Sequence, residues 1–284
     1  MPGINPPGRK RFSDMMDAST QLYGVFGNPV GHSMSPVLFN QAFLDQGINA
    51  VYLAFPVMDI RQGVAAIRAL GIRGVSVTIP HKTDIMDCLD DVDDLARRIG
   101  AVNTVVRVQD RLVGRNSDCP GAMQAISEAI PISGKRFAII GAGGAARAIG
   151  FGLKQQNGQV IIINRSPERG EQLADALNAD FMPIADAKSL ACDMVINTTP
   201  VGMTPLVSAM PIPIEALDSG MTVMDIVYHP LETELLKQAA RRGCRVIGGL
   251  AMFLYQAACQ FEWWTGKPAP VDVMKQIVLE RLTS

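Results

Sequence analysis

A lysine that follows a strand-like run and a proline is the first residue of this chain placed to do chemistry. In Val77-Thr78-Ile79-Pro80-His81-Lys82, residues of strand-forming type reach a proline that cannot extend a hydrogen-bond ladder, so the chain leaves the sheet there. Lys82 is then presented at the carboxyl end of a strand. A lysine at the mouth of an α/β cleft, partly out of water, can exchange a proton near neutral pH. The competing reading is an ordinary solvated surface lysine.

Two hydroxyls stand at the first strand-to-helix turn, in Gly31-His32-Ser33-Met34-Ser35-Pro36. Ser35 followed by Pro36 is a good helix start, since serine caps free N–H groups and proline is favoured in the first turn. Ser33 is not needed for that cap. Together the two hydroxyls beside a helix amino terminus form a site for a small carboxylate or phosphate. Asn103 and Asp118 sit at the ends of an expected hairpin around the turn Gln109-Asp110. Each is either a turn or cap residue or a polar group for chemistry, and Asp118 precedes a helix that begins near Pro120.

The second half carries a different signal. Residues 136–140 read as a short buried strand, followed at once by Gly141-Ala142-Gly143-Gly144-Ala145-Ala146. A strand, then Gly-x-Gly-x-x-Ala, then a helix is what a pyrophosphate needs: a turn, a close backbone approach, and a small residue for tight packing. The next strand, 160–163, ends in Asn164-Arg165-Ser166, where an NAD site places an acid for the ribose hydroxyl. No acid stands here. Arg165, with Arg169 about one turn beyond, argues for a 2′-phosphate and therefore for NADP.

The elements that position these residues alternate. Strands are expected at 23–27, 51–55 and 74–79, with helices at 36–46 and 60–70 between them, which predicts a mostly parallel sheet. An acidic helical stretch is expected over 88–99. In the second half, strands at 194–197 and 222–227 continue the series, a helix over 232–242 stops at Gly243, and Gly248-Gly249 opens a long apolar helix through Trp264. Gln256 within that helix is either a core-rim residue or a ligand group. The apolar window 248–261 is interrupted by Gln256 and Gln260 and is too short to span a bilayer.

Composition bounds the answer. At 284 residues, 48% hydrophobic and 19% charged, the chain is globular and long enough for two domains, and the dinucleotide-type motif near its middle decides for two. A net charge of −1 gives no footprint for nucleic acid or an acidic membrane surface. The first 20 residues hold three prolines and a basic cluster without an apolar core, which reads as a flexible tail and not as a signal peptide or anchor. Five cysteines without paired spacing argue against disulfides and for a reducing cytoplasm. His32, His81 and His229 are far apart, and no metal site is expected.

Taken in order, the motifs resemble the shikimate dehydrogenase family. They are Gly-Asn-Pro-Val-Gly-His-Ser-Met-Ser-Pro (27–36), Val-Thr-Ile-Pro-His-Lys (77–82), Gly-Ala-Val-Asn-Thr (100–104), Asn-Ser-Asp (116–118) and Gly-Ala-Gly-Gly-Ala-Ala-Arg (141–147). Asn-Arg-Ser (164–166), Asn-Thr-Thr-Pro-Val-Gly-Met (197–203) and Gly-Gly-Leu-Ala-Met (248–252) with Gln256 complete the set. The resemblance implies reversible NADPH-dependent reduction of 3-dehydroshikimate to shikimate in aromatic amino-acid biosynthesis. It implies Lys82 and Asp118 as the catalytic pair, Ser33 and Ser35 on the substrate carboxylate, and Thr78, Asn103 and Gln256 at the substrate or its hydroxyls. Tyr228 matches a tyrosine near the substrate, and Met203 and Gly249 match positions beside the nicotinamide. Gly141, Ala142, Gly143, Gly144, Ala145, Asn164, Arg165, Ser166 and Arg169 are the remaining cofactor residues.

The fold so implied is α/β, with a mostly parallel-sheet substrate domain over 21–118, a Rossmann-type NADP-binding domain over 119–250, and C-terminal helices (251–284) returning to the first domain. The partner is a small molecule, with no nucleic acid or membrane, and the assembly is a monomer or homodimer. Asn-Ser-Asp stands where the family often has Asn-Thr-Asp, and Gly249-Leu-Ala replaces a more usual Gly-Leu-Gly. Two other readings remain: a quinate/shikimate dehydrogenase of relaxed specificity, and a non-catalytic NADP-binding regulator, against which the retention of both Lys82 and Asp118 speaks.

Overall fold

Two six-stranded sheets organise the chain in a computed structural model that describes residues 16–283. The first sheet is built from β1 (Gln21–Gly27), β2 (Ala50–Pro56), β3 (Gly74–Val77), β4 (Asp91–Val92), β5 (Thr104–Val108) and β6 (Arg111–Arg115), in the order β2-β1-β3-β5-β6-β4. Neighbours β1, β2 and β3 are parallel, β5 runs antiparallel to both β3 and β6, and β4 is parallel to β6. The hairpin turns at Gln109, whose φ is 56°. This is the mostly parallel sheet that the alternation predicts.

The second sheet is wholly parallel. Its strands are β7 (Arg136–Ile140), β8 (Gln159–Asn164), β9 (Asp180–Pro183), β10 (Met194–Asn197), β11 (Thr222–Asp225) and β12 (Arg245–Ile247), in the order β12-β11-β10-β7-β8-β9. Counted from β7, this is the doubly wound 3-2-1-4-5-6 order, whose direction of winding reverses between β7 and β10. A ligand crevice opens at the carboxyl ends of strands at such a reversal.

Two helices join the sheets. α4 (Asp118–Ser127) lies against α8 (Gly249–Thr265) so closely that a Cβ on Gly121 would stand 2.8 Å from the backbone nitrogen of Gln256. One core gathers Cys119, Ala122 and Ile126 of α4, Met252 of α8 and Phe137 and Ile139 of β7. Another gathers Tyr23, Val25, Phe39 and Tyr52 with Phe253, Ala257 and Phe261 of α8 and Met274 and Val278 of α9 (Val271–Thr283). Phe39 stacks on Tyr52 with centroids 4.6 Å apart, Trp264 packs on Phe39 at 5.1 Å, and its indole N–H donates to the Val105 carbonyl at 3.0 Å. Such rings each contribute about 2–3 kcal/mol by burial, so this contact is strong enough to hold the carboxyl-terminal helices on the first sheet.

The expected tail extends over two kinds of residue. Residues 1–15 lie outside the described residues, while Asp17, Ser19 and Thr20 form a turn tied to Asn49, whose side chain donates to Asp17 at 2.9 Å and accepts from Thr20 at 2.8 Å.

Three local expectations are corrected. The acidic stretch 88–99 is not one helix: a short 3₁₀ turn (Asp84–Cys88) and the two-residue β4 precede α3, which covers only Asp94–Ile99. The Asp93 side chain accepts from Ala96 N at 2.7 Å and starts α3 late, and Arg68 holds Asp90 at 2.9 Å outside it. β3 ends at Val77, two residues before the predicted limit, although the Thr78 N–H still donates to the Phe26 carbonyl and the Ile79 carbonyl accepts from Asn28 N, each at 2.9 Å; the Ile79 side chain is 65% exposed. Three helices begin and end within two residues of expectation: α1 is Ser35–Asp45, α2 Ile60–Ala69 and α7 Glu234–Arg241; α5 (Gly144–Gln155) and α6 (Pro167–Leu177) follow β7 and β8.

Candidate active site

The third correction concerns caps: neither Asp118 nor Ser35 uses its side chain as one. Asp118 does not cap α4: Asn116 Oδ1 accepts the Cys119 N–H at 3.1 Å instead. Asp118 is 3% exposed, and its Oδ2 receives Lys82 Nζ at 2.5 Å while its Oδ1 receives Asn103 Nδ2 at 2.8 Å. Ser35 likewise makes no cap bond, since α1 has none from its cap residue, Met34; the Ser35 N–H itself leans on Ser33 Oγ at 3.3 Å.

Topology explains the convergence. Ser33 and Ser35 follow β1, Lys82 follows β3, Asn103 precedes the antiparallel β5, and Asp118 follows β6, so all of them emerge at one edge of the first sheet. His81 braces the lysine loop, its ring Nε2–H donating to the Val57 carbonyl at 2.7 Å, and the Lys82 carbonyl accepts from Val102 N at 2.7 Å. Asn103 is fixed from two sides. Ser117 N–H and the Thr104 hydroxyl donate to its Oδ1 at 2.7 and 2.9 Å, which leaves its amide nitrogen to face Asp118. A buried ion pair is worth keeping only when its remaining lone pairs are satisfied, and here both carboxylate oxygens are.

The second sheet meets this edge from across the cleft. Gly141 turns at φ 116°, and a Cβ there would stand 2.5 Å from Thr198 Oγ1, so only glycine fits where β7 and β10 part. Gly143 faces open space at the amino end of α5, and Ala146 is fully buried behind it, which is the cradle a pyrophosphate needs. Gly144, the first residue of α5, lies against Lys82: its Cβ position is 3.0 Å from Lys82 Cδ. The dinucleotide turn and the acid–base pair therefore share one cleft. Ala142, Ala145 and Ser166 are partly buried along it, Asn164 ends β8 and donates to the Ser166 carbonyl at 2.9 Å, and Arg165 and Arg169 are exposed beyond, paired with no acid among the described residues.

A cleft of about 290 Å³ opens on the other side of the turn, lined by His32, Ile79, Thr198, Met203, Val227 and Tyr228 among others. Tyr228 stacks on Phe253 at 4.5 Å, and burial pushes its phenol up from the ordinary value. Beneath, Asp225 is fully buried; it accepts from Asn197 at 3.0 Å, Val227 N at 3.0 Å and Thr233 at 2.7 Å, and burial holds its carboxyl above the usual range. Gly249 packs under the same segment. A Cβ there would meet the Ile226 carbonyl oxygen at 2.3 Å and that of Val227 at 2.7 Å. Because both neighbours are backbone, Gly249→Ala should cost about 3 kcal/mol or more of stability, read as a lower midpoint in urea unfolding; an unchanged midpoint would show that the segment yields freely.

The sequence-derived residues do not all touch. Lys82, Asp118 and Asn103 are bonded together; Thr78 packs by its methyl over Gly27, and Gln256 sits beside Gly121 one turn into α4. Reasoning from sequence missed Tyr52, Ser76, Thr104, Ser117 and Gln260, which form a buried polar group behind Asn103. Ser76, inside an otherwise apolar strand, and Gln260, four residues after Gln256, were the available signals.

Known proteins resemble this chain over most of its length. The profile for the shikimate dehydrogenase substrate binding domain matches residues 25–105, that for the shikimate 5'-dehydrogenase C-terminal domain matches 249–279, and an NADP oxidoreductase (coenzyme F420-dependent) profile matches 136–228. A curated shikimate dehydrogenase (NADP(+)) from Moorella thermoacetica is 46% identical over 279 residues, covering 93% of this chain and 95% of its own. A crystal structure of a shikimate dehydrogenase in complex with NADP+ superposes with a TM-score of 0.91 at 40% identity, over 95% of this chain and 98% of that one. The shikimate 5-dehydrogenase of Listeria monocytogenes, in complex with shikimate and NAD, gives 0.85 at 36% identity over 93% and 98%. Likeness of that degree, running through both sheets and both closing helices, leaves one conclusion: the chain belongs to the shikimate dehydrogenase family.

Proposed function

We propose that the chain catalyses the reversible NADPH-dependent reduction of 3-dehydroshikimate to shikimate, the step its family contributes to aromatic amino-acid biosynthesis. The observation that carries this reading is the Lys82–Asp118 pair, 2.5 Å apart and set against the first residue of the dinucleotide helix. A proton-exchanging pair beside a dinucleotide cradle is what oxidation of an alcohol requires.

Gly141, Ala142, Gly143, Gly144, Ala145, Asn164, Arg165, Ser166 and Arg169 would hold NADP, with Met203 and Gly249 bordering its nicotinamide. NADP supplies the hydride acceptor, or when reduced the donor. The chain's own residues handle the proton: as the carbinol C–H pair leaves, the hydroxyl proton passes to the Lys82–Asp118 pair, and in reduction the pair returns it to the developing alkoxide. Asn103 keeps Asp118 aimed, bonding one of its oxygens while the other faces Lys82. Ser33 and Ser35, at the amino end of α1, bind the substrate carboxylate, where hydroxyl donors and the helix dipole both favour an anion. Thr78, Gln256 and Tyr228 complete the substrate pocket, and Ile79, Met203 and Val227 line the cleft beside it.

Residues 21–118, 119–250 and 251–284 then divide the work as substrate domain, NADP domain and closing helices, a division supported by the separate cores on the two sheets. No helix among the described residues is long and apolar enough to cross a membrane. With all five cysteines free, a reducing cytoplasm is the proposed location, and monomer or homodimer the proposed assembly.

Ser33→Ala and Ser35→Ala should each raise KM for the acid while leaving turnover nearly unchanged, because a hydroxyl lost to a charged partner costs roughly 1.5–3 kcal/mol. If Ser35→Ala lowers only the melting temperature, its bond to substrate does not exist. The function itself is tested by mixing the protein with shikimate and NADP and following NADPH formation. Turnover is expected; NADP binding without turnover would make the chain a regulator.

A further inference from the structure

Behind the acid–base pair runs a line of buried polar side chains that the reaction as derived does not use. Tyr52 on β2, Ser76 on β3, Thr104 on β5 and Gln260 on α8 are 0, 8, 0 and 5% exposed. Tyr52 OH donates to Ser76 Oγ at 2.7 Å, and Ser76 Oγ donates to Gln260 Oε1 at 2.9 Å. Gln260 Nε2 donates to Thr104 Oγ1 at 2.8 Å, Thr104 Oγ1 to Asn103 Oδ1 at 2.9 Å, and Asn103 Nδ2 to Asp118 Oδ1 at 2.8 Å. Every link donates towards Asp118.

That direction is set by groups that cannot reverse. The Ser117 backbone N–H can only donate, and it points at Asn103 Oδ1 at 2.7 Å, so the Asn103 amide nitrogen must face the carboxylate. The Asn103 carbonyl can only accept, and it lies 3.4 Å from Gln260 Nε2, so the Gln260 nitrogen must face Thr104. The Thr104 proton is thereby left for Asn103. Burying an amide in the apolar face of α8 is costly unless all its bonds are made, and here both ends are occupied.

We propose that Gln260 is a positioning residue for the acid–base pair, orienting Asp118 through Thr104 and Asn103. The inference rests on the function proposed above. It predicts a loss in turnover with little change in substrate affinity, since Tyr52, which bonds Ser35 at the carboxylate site, keeps its Ser76 partner when Gln260 is replaced.

The test compares Gln260→Leu, Thr104→Val, the double variant and the isosteric Gln260→Glu with the unmodified protein. Gln260→Leu and Thr104→Val should each lower kcat by roughly 10-fold, with KM for shikimate within about twofold, since a small misplacement of a catalytic group costs up to 10²-fold. The double variant should lose little more than either single one, because both act along one path. The carboxyl introduced by Gln260→Glu can donate to Thr104 when protonated, as the amide does, but when ionised it accepts the Thr104 hydroxyl's hydrogen bond and turns it from Asn103. Its kcat relative to the unmodified enzyme should therefore fall as pH rises. Tyr52 from β2 and Asp118 and Lys82 at the far end are the titratable groups bonded along the line, and the ratio to the unmodified enzyme cancels their own contribution.

A second readout does not need turnover: the Asn103 side-chain amide protons, assigned by comparison with Asn103→Ala, should exchange with solvent faster in Gln260→Leu. If the unmodified protein fails to oxidise shikimate, the proposed function falls, and the exchange rate still decides the positioning. Unchanged exchange, multiplicative losses in the double variant, or a Gln260→Glu ratio independent of pH would each overturn it.

Discussion

Lys82→Ala is expected to lower turnover at least about 10²-fold, the scale of a positioned acid–base group, while the protein still folds and binds NADP. The fold should survive because the Lys82 side chain is 17% exposed at the cleft edge, and its partner keeps a second bond when it goes. Breaking a fully buried pair costs about 3–5 kcal/mol because a charge is stranded, but the Asp118 carboxylate retains Asn103 Nδ2 at 2.8 Å and gains water through the space the lysine vacates. Gly144 also loses its neighbour, which widens the cleft without unseating α5. Steady-state kinetics with shikimate, beside a titration of NADP binding, separate the two effects. Near-normal turnover with intact NADP binding would remove Lys82 from the chemistry.

Cofactor choice carries the second large effect. Arg165 and Arg169 stand exposed past the end of β8, and no acid among the described residues pairs with them. A guanidinium there gains charge-assisted, bidentate bonds to a 2′-phosphate and has no comparable partner when NAD presents only a hydroxyl. Arg165→Asp with Arg169→Ala should therefore raise KM for NADP far more than for NAD, since the new carboxylate repels the phosphate and accepts from the ribose hydroxyls. A loss of about 3 kcal/mol in the preference, roughly 10²-fold, is the expected scale for removing charge-assisted bonds and adding a repulsion. Retention of the NADP preference in the double variant would show that the Asn164-Arg165-Ser166 loop does not read the phosphate.

The dinucleotide half of the molecule was the more legible from sequence. Strands β7 and β10 fall on the residues read for them, 136–140 and 194–197, because a short apolar run buried on both faces and closed by glycine or asparagine has few other folds to adopt. The acidic stretch 88–99 was not legible: its partners Arg68 and Leu112 lie some 20 residues away, and they pull Asp90 out of any continuous helix. Cap readings failed at Ser35 and Asp118 for a related reason. Asn116 was as good a cap as Asp118, and only the tertiary pairing with Lys82 decides between them. Gln260 looked like an interruption in an apolar helix; its partners, Ser76 and Thr104, are 184 and 156 residues distant in the chain.

An acid–base pair, a site for an acid and a 2′-phosphate reader joined in one cleft require that steady-state kinetics of the unmodified protein with shikimate and quinate, each against NADP and NAD, give the highest kcat/KM for shikimate with NADP. Equal or better kcat/KM with NAD, or with quinate, would contradict it.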